Sequence, residues 1–198
     1  MNAYKDFLDR FSMFNKERLD GLNEMHFSGM TPQERKMAFD YLLLRVAEGG
    51  SAETVNGIFT ADFELALAPV VHLMENGVLN EEAHLAAASN IFQITGDKKL
   101  LPVFIRFMSS PDERLRGTAA RCVPVSIFSE DLRLALESMI RTETDKLARI
   151  HAVNALLLYH GIDKESVGKK YLSIYRNLHS EDLPRIEEAF SDISRLFD

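Results

Sequence analysis

Metal, nucleophilic and acid–base chemistry in a protein draws mostly on histidine, cysteine and converging carboxylates, and this sequence spends them sparingly. Its six histidines, His26, His72, His84, His151, His160 and His179, are dispersed, with no His-Glu-x-x-His pair and no ligand spacing of a known zinc site. His151 and His160 are nine residues apart, which on one continuous helix points the two imidazoles roughly 180° apart. Cys122 is the only cysteine, which excludes an internal disulfide and an all-cysteine metal site. Arg121 beside it could favour a thiolate, but Ala119, Ala120 and Val123 around it mark a place for a small buried residue. Glu81-Glu82 and Glu187-Glu188 are consecutive, so on helices they diverge and read as solvated surface. There is no phosphate-cradling glycine loop and no Gly-x-Ser-x-Gly elbow. The expectation is a protein with no catalytic residues, no metal and no cofactor.

The elements that must position the remaining polar residues are helices. Tyr4, Phe7, Leu8, Phe11 and Phe14 fall on one helical face. Thr31-Pro32-Gln33-Glu34 combines an N-cap, a proline in the first turn and a capping-box glutamate, and predicts a helix to about Glu48, closed by Gly49-Gly50. Punctuation recurs at Asn80, Gly96-Asp97, Ser110-Pro111-Asp112, Ser129, Asp145, Gly161 and Ser180. About ten helices of two to four turns follow, with a short extra helix between Ser51 and Phe59. Alternating strand patterns are nearly absent, so the fold class is all-α.

The helices repeat. Segments opening at Asn80, Asp112 and Asp145 align, 32 and 33 residues apart, and a fixed period of this size signals stacked helix pairs. Thr31 opens a fourth copy and Asp182 a looser fifth. Ala38, Ala87, Ala119 and Ala152 share one position, where small residues let two helices approach; Leu42, Ile91, Val123 and Leu156 follow as core anchors. In the preceding helices Pro69 and Pro102 share a register, which predicts a bend at the same place in both. The last helix carries Leu183, Ile186, Phe190, Ile193 and Phe197 in a stripe, expected to pack on Val167, Tyr171, Ile174 and Leu178.

Leu101-Pro102-x-x-Ile105-x-x-Met108 followed by Ser110-Pro111-Asp112-x-x-Leu115-Arg116-x-x-Ala119-Ala120 resembles a HEAT repeat, over roughly residues 30–198 and most strongly over 97–160. The resemblance implies a right-handed α-solenoid of about five antiparallel helix pairs. It would form a single domain over 1–198, with atypical capping helices in 1–60, core repeats in 61–160 and a capping repeat in 161–198. It also implies that Arg35, His84, Arg116 and Arg149 form an inter-repeat ladder, with Asp112 standing where the family's acidic partner would be; the alternative for this register is direct contact with a partner. A second register, Asp40, Ser89, Arg121, Asn154 and Ser191, is polar throughout. With Glu82, Gln93, Arg114, Thr118 and His151 it would make a polar ridge on the concave side, a candidate partner-binding surface or simply the wet face every solenoid needs.

The chain of 198 residues has 30 acidic and 23 basic residues and a net charge of −7. That balance argues against nucleic acid, which needs a basic footprint. Residues 1–99 hold 9 basic and 15 acidic residues, and residues 100–198 hold 14 and 15, a split that suits a protein partner with a basic patch. The start carries no signal-peptide pattern and no run approaches the roughly 20 apolar residues of a membrane span. With a lone thiol, this predicts a cytoplasmic protein. The resulting expectation is a non-catalytic protein-binding module, most specifically a bacterial immunity-type inhibitor that covers a toxin or effector domain. The alternatives are an assembly adaptor or scaffold and, through the resemblance, a HEAT-like alkylpurine DNA glycosylase or a tetrapyrrole lyase or chaperone. The absence of tryptophan and the acidic charge speak against the glycosylase. Nothing marks a pigment site.

Overall fold

The computed structural model describes residues 3–11 and 22–196, apart from the side chains of Arg10 and Lys169. Phe14 and Phe197 lie outside them. Twelve α-helices and two 3-10 turns, with no strand, make up the described residues. They form two compact units, residues 1–97 and 98–198.

The first unit contains α1 (Ala3–Phe11), α2 (Pro32–Ala47), α3 (Ala52–Ala61), α4 (Phe63–Glu75) and α5 (Glu81–Thr95). Phe7 anchors α1, its ring 5.7 Å from Phe27 and 6.1 Å from Tyr41. Thr31 and Glu34 cap α2 reciprocally, satisfying backbone donors that the first turn leaves open. Gly49 and Gly50 then turn the chain at φ 108° and 65°, left-handed values that favour glycine. Ser51 and Thr54 cap α3 in the same reciprocal way. Arg35 at the start of α2 donates to the carbonyls of Ala61 at 2.7 Å and Thr60 at 2.8 Å, so α2 and α3 run antiparallel. By contrast α3 and α5 start side by side. The Asn80 backbone N–H donates to Gly49 O at 2.9 Å, and Asn56 and Asn90 bond at 2.8 Å halfway along.

It is therefore α3, and not α2, that packs along α5. This corrects the repeat frame drawn from Thr31. The segment Ser51–Phe59 is a full helix in the place expected of the Thr31 helix, which explains the long interval between the caps at 31 and 80. Gly57 faces α2 instead, where a Cβ would stand 3.3 Å from the Leu42 side chain, so it eases the approach of α3 to α2.

The second unit contains α6 (Leu101–Met108), α7 (Glu113–Cys122), α8 (Glu130–Thr142), α9 (Lys146–Tyr159), α10 (Lys164–Val167), α11 (Lys169–Leu178) and α12 (Leu183–Ser194). The prolines are not equivalent: Pro69 lies inside α4, whereas Pro102 is in the first turn of α6. There its missing N–H costs nothing and no bend follows. The 3-10 turn at Lys98–Leu100 delays the start of α6, which is why the shared register did not give a shared role. Helix α7 stops before Pro124, with Val123 extended at ψ 132°, as a residue preceding proline prefers.

Helices α7 and α9 lie against each other with almost no side chain between them. A Cβ on Gly117 would stand 3.2 Å from Ala148 Cα and 3.3 Å from its Cβ. Helices α8 and α9 are antiparallel, because the Tyr159 hydroxyl at the end of α9 bonds both the N–H and the carbonyl of Ser129 at the start of α8, at 2.9 and 3.0 Å. Along α8 the charges Glu130, Arg133, Glu137 and Arg141 pair in succession, and Arg141 reaches Glu187 of α12 at 2.6 Å. Ile186, Phe190 and Ile193 of α12 are buried, as are Ile174 and Leu178 of α11, while Leu183 is exposed.

Candidate functional site

The residues assigned to a polar ridge separate by unit. In the first, Glu82 and Gln93 are exposed on α5. Ser89 is only 8% exposed, so it belongs to the interior and not to a binding surface. Its place in a run of small residues, Ala86 to Ser89, is the reason: a hydroxymethyl packs where alanine would. Asp40 is exposed on α2 and paired one turn back with Lys36 at 3.2 Å. Since α2 is not the helix packed along α5, Asp40 does not share their face. Ser191 on α12 is exposed and its hydroxyl donates to Glu187 O at 3.0 Å.

In the second unit the ridge residues do come together. Arg114, Thr118 and Arg121 fall at i, i+4 and i+7 on α7, with both arginines exposed. His151 and Asn154 lie on α9 beside them, and the His151 ring edge comes within 3.6 Å of the position a Cβ on Gly117 would take. Burial, and secondarily the charge of Arg121, holds the His151 imidazole below its ordinary pKa, so near neutral pH it is an uncharged hydrogen-bonding group. Neither Arg114 nor Arg121 forms an ion pair among the described residues. On the same stripe of α9 as His151 and Asn154 stand Leu147 and Leu158, 61% and 62% exposed, which a polar register does not mark. Helical spacing from Asn154 back to Leu147 and on to Leu158 was the signal.

The arginine register has a geometry of its own. Arg116 donates bidentately to Glu143, at 2.6 and 2.8 Å, and its Nη1 reaches the carbonyls of Ser110 and Pro111. Arg149 donates through Nε and Nη2 to the carbonyl of Glu143 and through Nη1 to that of Ser180. Asp112 is not the acidic partner. Its carboxylate caps α7, accepting from the Arg114 N–H at 2.8 Å, and Glu143 takes the role instead. Arg35, at the same register, bonds the end of α3 and pairs with Glu24, ahead of α2, at 2.9 Å. His84 is half-buried on α5.

Other chemistry is thin. Cys122 is half-buried at the end of α7, more accessible than its alanine neighbours. No group of three or more histidines, cysteines or carboxylates among the described residues could hold a metal ion. No described helix is long and apolar enough to cross a membrane. A groove of about 890 Å³ runs between α6 and α8 past Ile105, Leu134 and Ser138, away from the ridge residues.

Together these features define a class, an all-α protein of packed neighbouring helices in which α7 presents two exposed arginines and the adjoining α9 two exposed leucines. Compared with known proteins, the chain matches no family model, no curated protein and no solved structure.

Proposed function

We propose that this chain is a non-catalytic protein-binding module of HEAT-like α-solenoid type, and that the α7/α9 face is its contact surface. The observation that carries this reading is the composition of that face. Among the described residues Arg114 and Arg121 stand on α7 without ion-pair partners, and α9 beside it presents neutral His151, Asn154 and the exposed Leu147 and Leu158. Arginine is enriched at the centres of protein interfaces, and an apolar surround excludes water from such contacts. The Gly117–Ala148 approach gives the face a rigid backing, which lowers the ordering cost of binding. The Arg116–Glu143–Arg149 chain supports the solenoid reading, because it links successive turns as an inter-repeat ladder would.

Within that class the specific proposal is an immunity-type inhibitor acting in the cytoplasm. Residues 1–97 carry 7 basic and 15 acidic residues, a charge suited to covering the basic site of a toxin or effector domain. The experiment is co-purification with the product of the adjacent gene, using the wild-type chain and the Arg114→Glu/Arg121→Glu variant. The expected result is a stable wild-type complex that the variant loses, with growth arrest by the partner relieved only by the wild type. A complex that survives both reversals overturns the assignment of the face. A partner that is harmless when expressed alone selects the adaptor or scaffold reading over the inhibitor.

A further inference from the structure

The last rung of the arginine chain lacks a carboxylate. Asp145 and Asp182 stand at the N-cap positions of α9 and α12, and two residues before them lie Glu143 and Ser180. Glu143 supplies Arg116 with its counter-ion. Ser180, in the equivalent place, offers Arg149 only a backbone carbonyl at 3.2 Å. Arg149 therefore uses three of its five N–H bonds, all on neutral carbonyl oxygens, and two remain to donate.

Arg149 lines a pocket of about 460 Å³ with Thr144, Lys146, Ile150, His179 and Glu181. Lys146 and Arg149 make no ion pair among the described residues, and Glu181, the one acid of the lining, pairs with neither. His179 forms another wall, and its Nε2 is buried with no hydrogen-bond partner among the described residues. Half-burying a guanidinium without a counter-charge is unfavourable, and bidentate N–H donation matches a carboxylate or phosphate.

We infer that Lys146, Arg149 and the wall formed by His179 make an oxyanion site, completed by a carboxylate or phosphate group from outside the chain. Arg149 supplies its two free N–H donors, Lys146 a mobile ammonium and Thr144 a hydroxyl. The volume exceeds that of a single ion, leaving room for the group that carries it. The site does not rest on the α7/α9 reading and stands if that face proves idle.

The test is a titration of the full-length chain with formate and, separately, inorganic phosphate, at ionic strength held constant with chloride. The readouts are the NMR signals of the Arg149 Nε–H and the His179 ring. A saturable shift with either ion is expected, weakened at least fivefold in Lys146→Ala, an exposed position whose loss leaves the fold intact. Arg149→Lys, which keeps charge but not the paired donors, is expected to weaken binding as well. Tighter formate binding identifies an acidic side chain or chain terminus as the source, and tighter phosphate binding a phosphoryl group. No saturable shift with either ion, or equal affinity in wild type and Lys146→Ala, overturns the site.

Discussion

Glu143 has a side chain only 1% exposed, yet it carries a full charge between two helices. Its Oε1 accepts from the N–H groups of Thr144 and Asp145 as well as from Arg116. The Arg116 guanidinium, and those backbone donors after it, hold its carboxyl below the ordinary carboxylate range despite burial. Removing one partner of such a pair leaves the other stranded. Glu143→Ala is expected to cost about 3 kcal/mol. Glu143→Gln keeps an oxygen for the two N–H groups and should cost roughly half as much. Urea unfolding of both variants checks the order; equal losses would mean that the two backbone bonds contribute nothing beyond the pairing with the guanidinium. The arginines were legible in the sequence because they recur at a fixed step from a cap. Their acid was not, because Asp112 is drawn off by the α7 N-terminus while Glu143 sits in a turn, where no periodic pattern marks it.

At the scale of the helices, caps and glycines decided more than the apolar stripes did. Thr31, Ser51, Asn80, Asp112 and Asp145 all cap helices through their side chains, and each helix start was readable for that reason. Which helices would pack together was not. Helix α2 carries the same Arg and Ala spacing as α7 and α9, yet α3 packs along α5, joined to it by the Asn56–Asn90 bond without the shared motif. Gly117 puts this argument to a quantitative test. Replacing a mid-helix glycine by alanine gains roughly 1 kcal/mol of helix propensity, but here the new Cβ meets Ala148 at 3.2 Å. For alanine the two effects nearly cancel. Valine adds two methyls to the same gap, so overpacking prevails and Gly117→Val is expected to cost about 2 kcal/mol. Denaturant midpoints of the two variants measure this; a valine variant as stable as wild type would mean that α7 and α9 part easily.

The molecule as a whole divides its charge where it divides its packing. Residues 98–198 hold 16 basic and 15 acidic residues, a net charge of +1 against −8 for residues 1–97, so all of the net negative charge belongs to the first unit, a polarity visible in the sequence before its boundary was. The second unit carries a different electrostatic burden. His151, His160 and His179 all lie in it, and burial holds each imidazole below its ordinary pKa, with Arg121, Arg133 and Arg149 adding to the effect in turn. The folded state thus resists protons that the unfolded chain accepts at about pH 6.5. Below that value the unfolded state binds more protons, and stability must fall with pH. A second loss follows at lower pH, where Glu130, Glu143 and Glu187, held low mainly by hydrogen bonds from Arg133, Arg116 and Arg141, are protonated. The expected outcome is a urea midpoint that declines from about pH 6.5 to 5 and then more steeply below about pH 4.5. Amide protection should be lost across α8, α9 and α11 in the first window. The double variant His160→Gln/His179→Gln should flatten that first decline while leaving the second. A midpoint constant from pH 7 to 5 would show that the imidazoles reach solvent before they protonate, and that their burial adds no acid sensitivity to the unit.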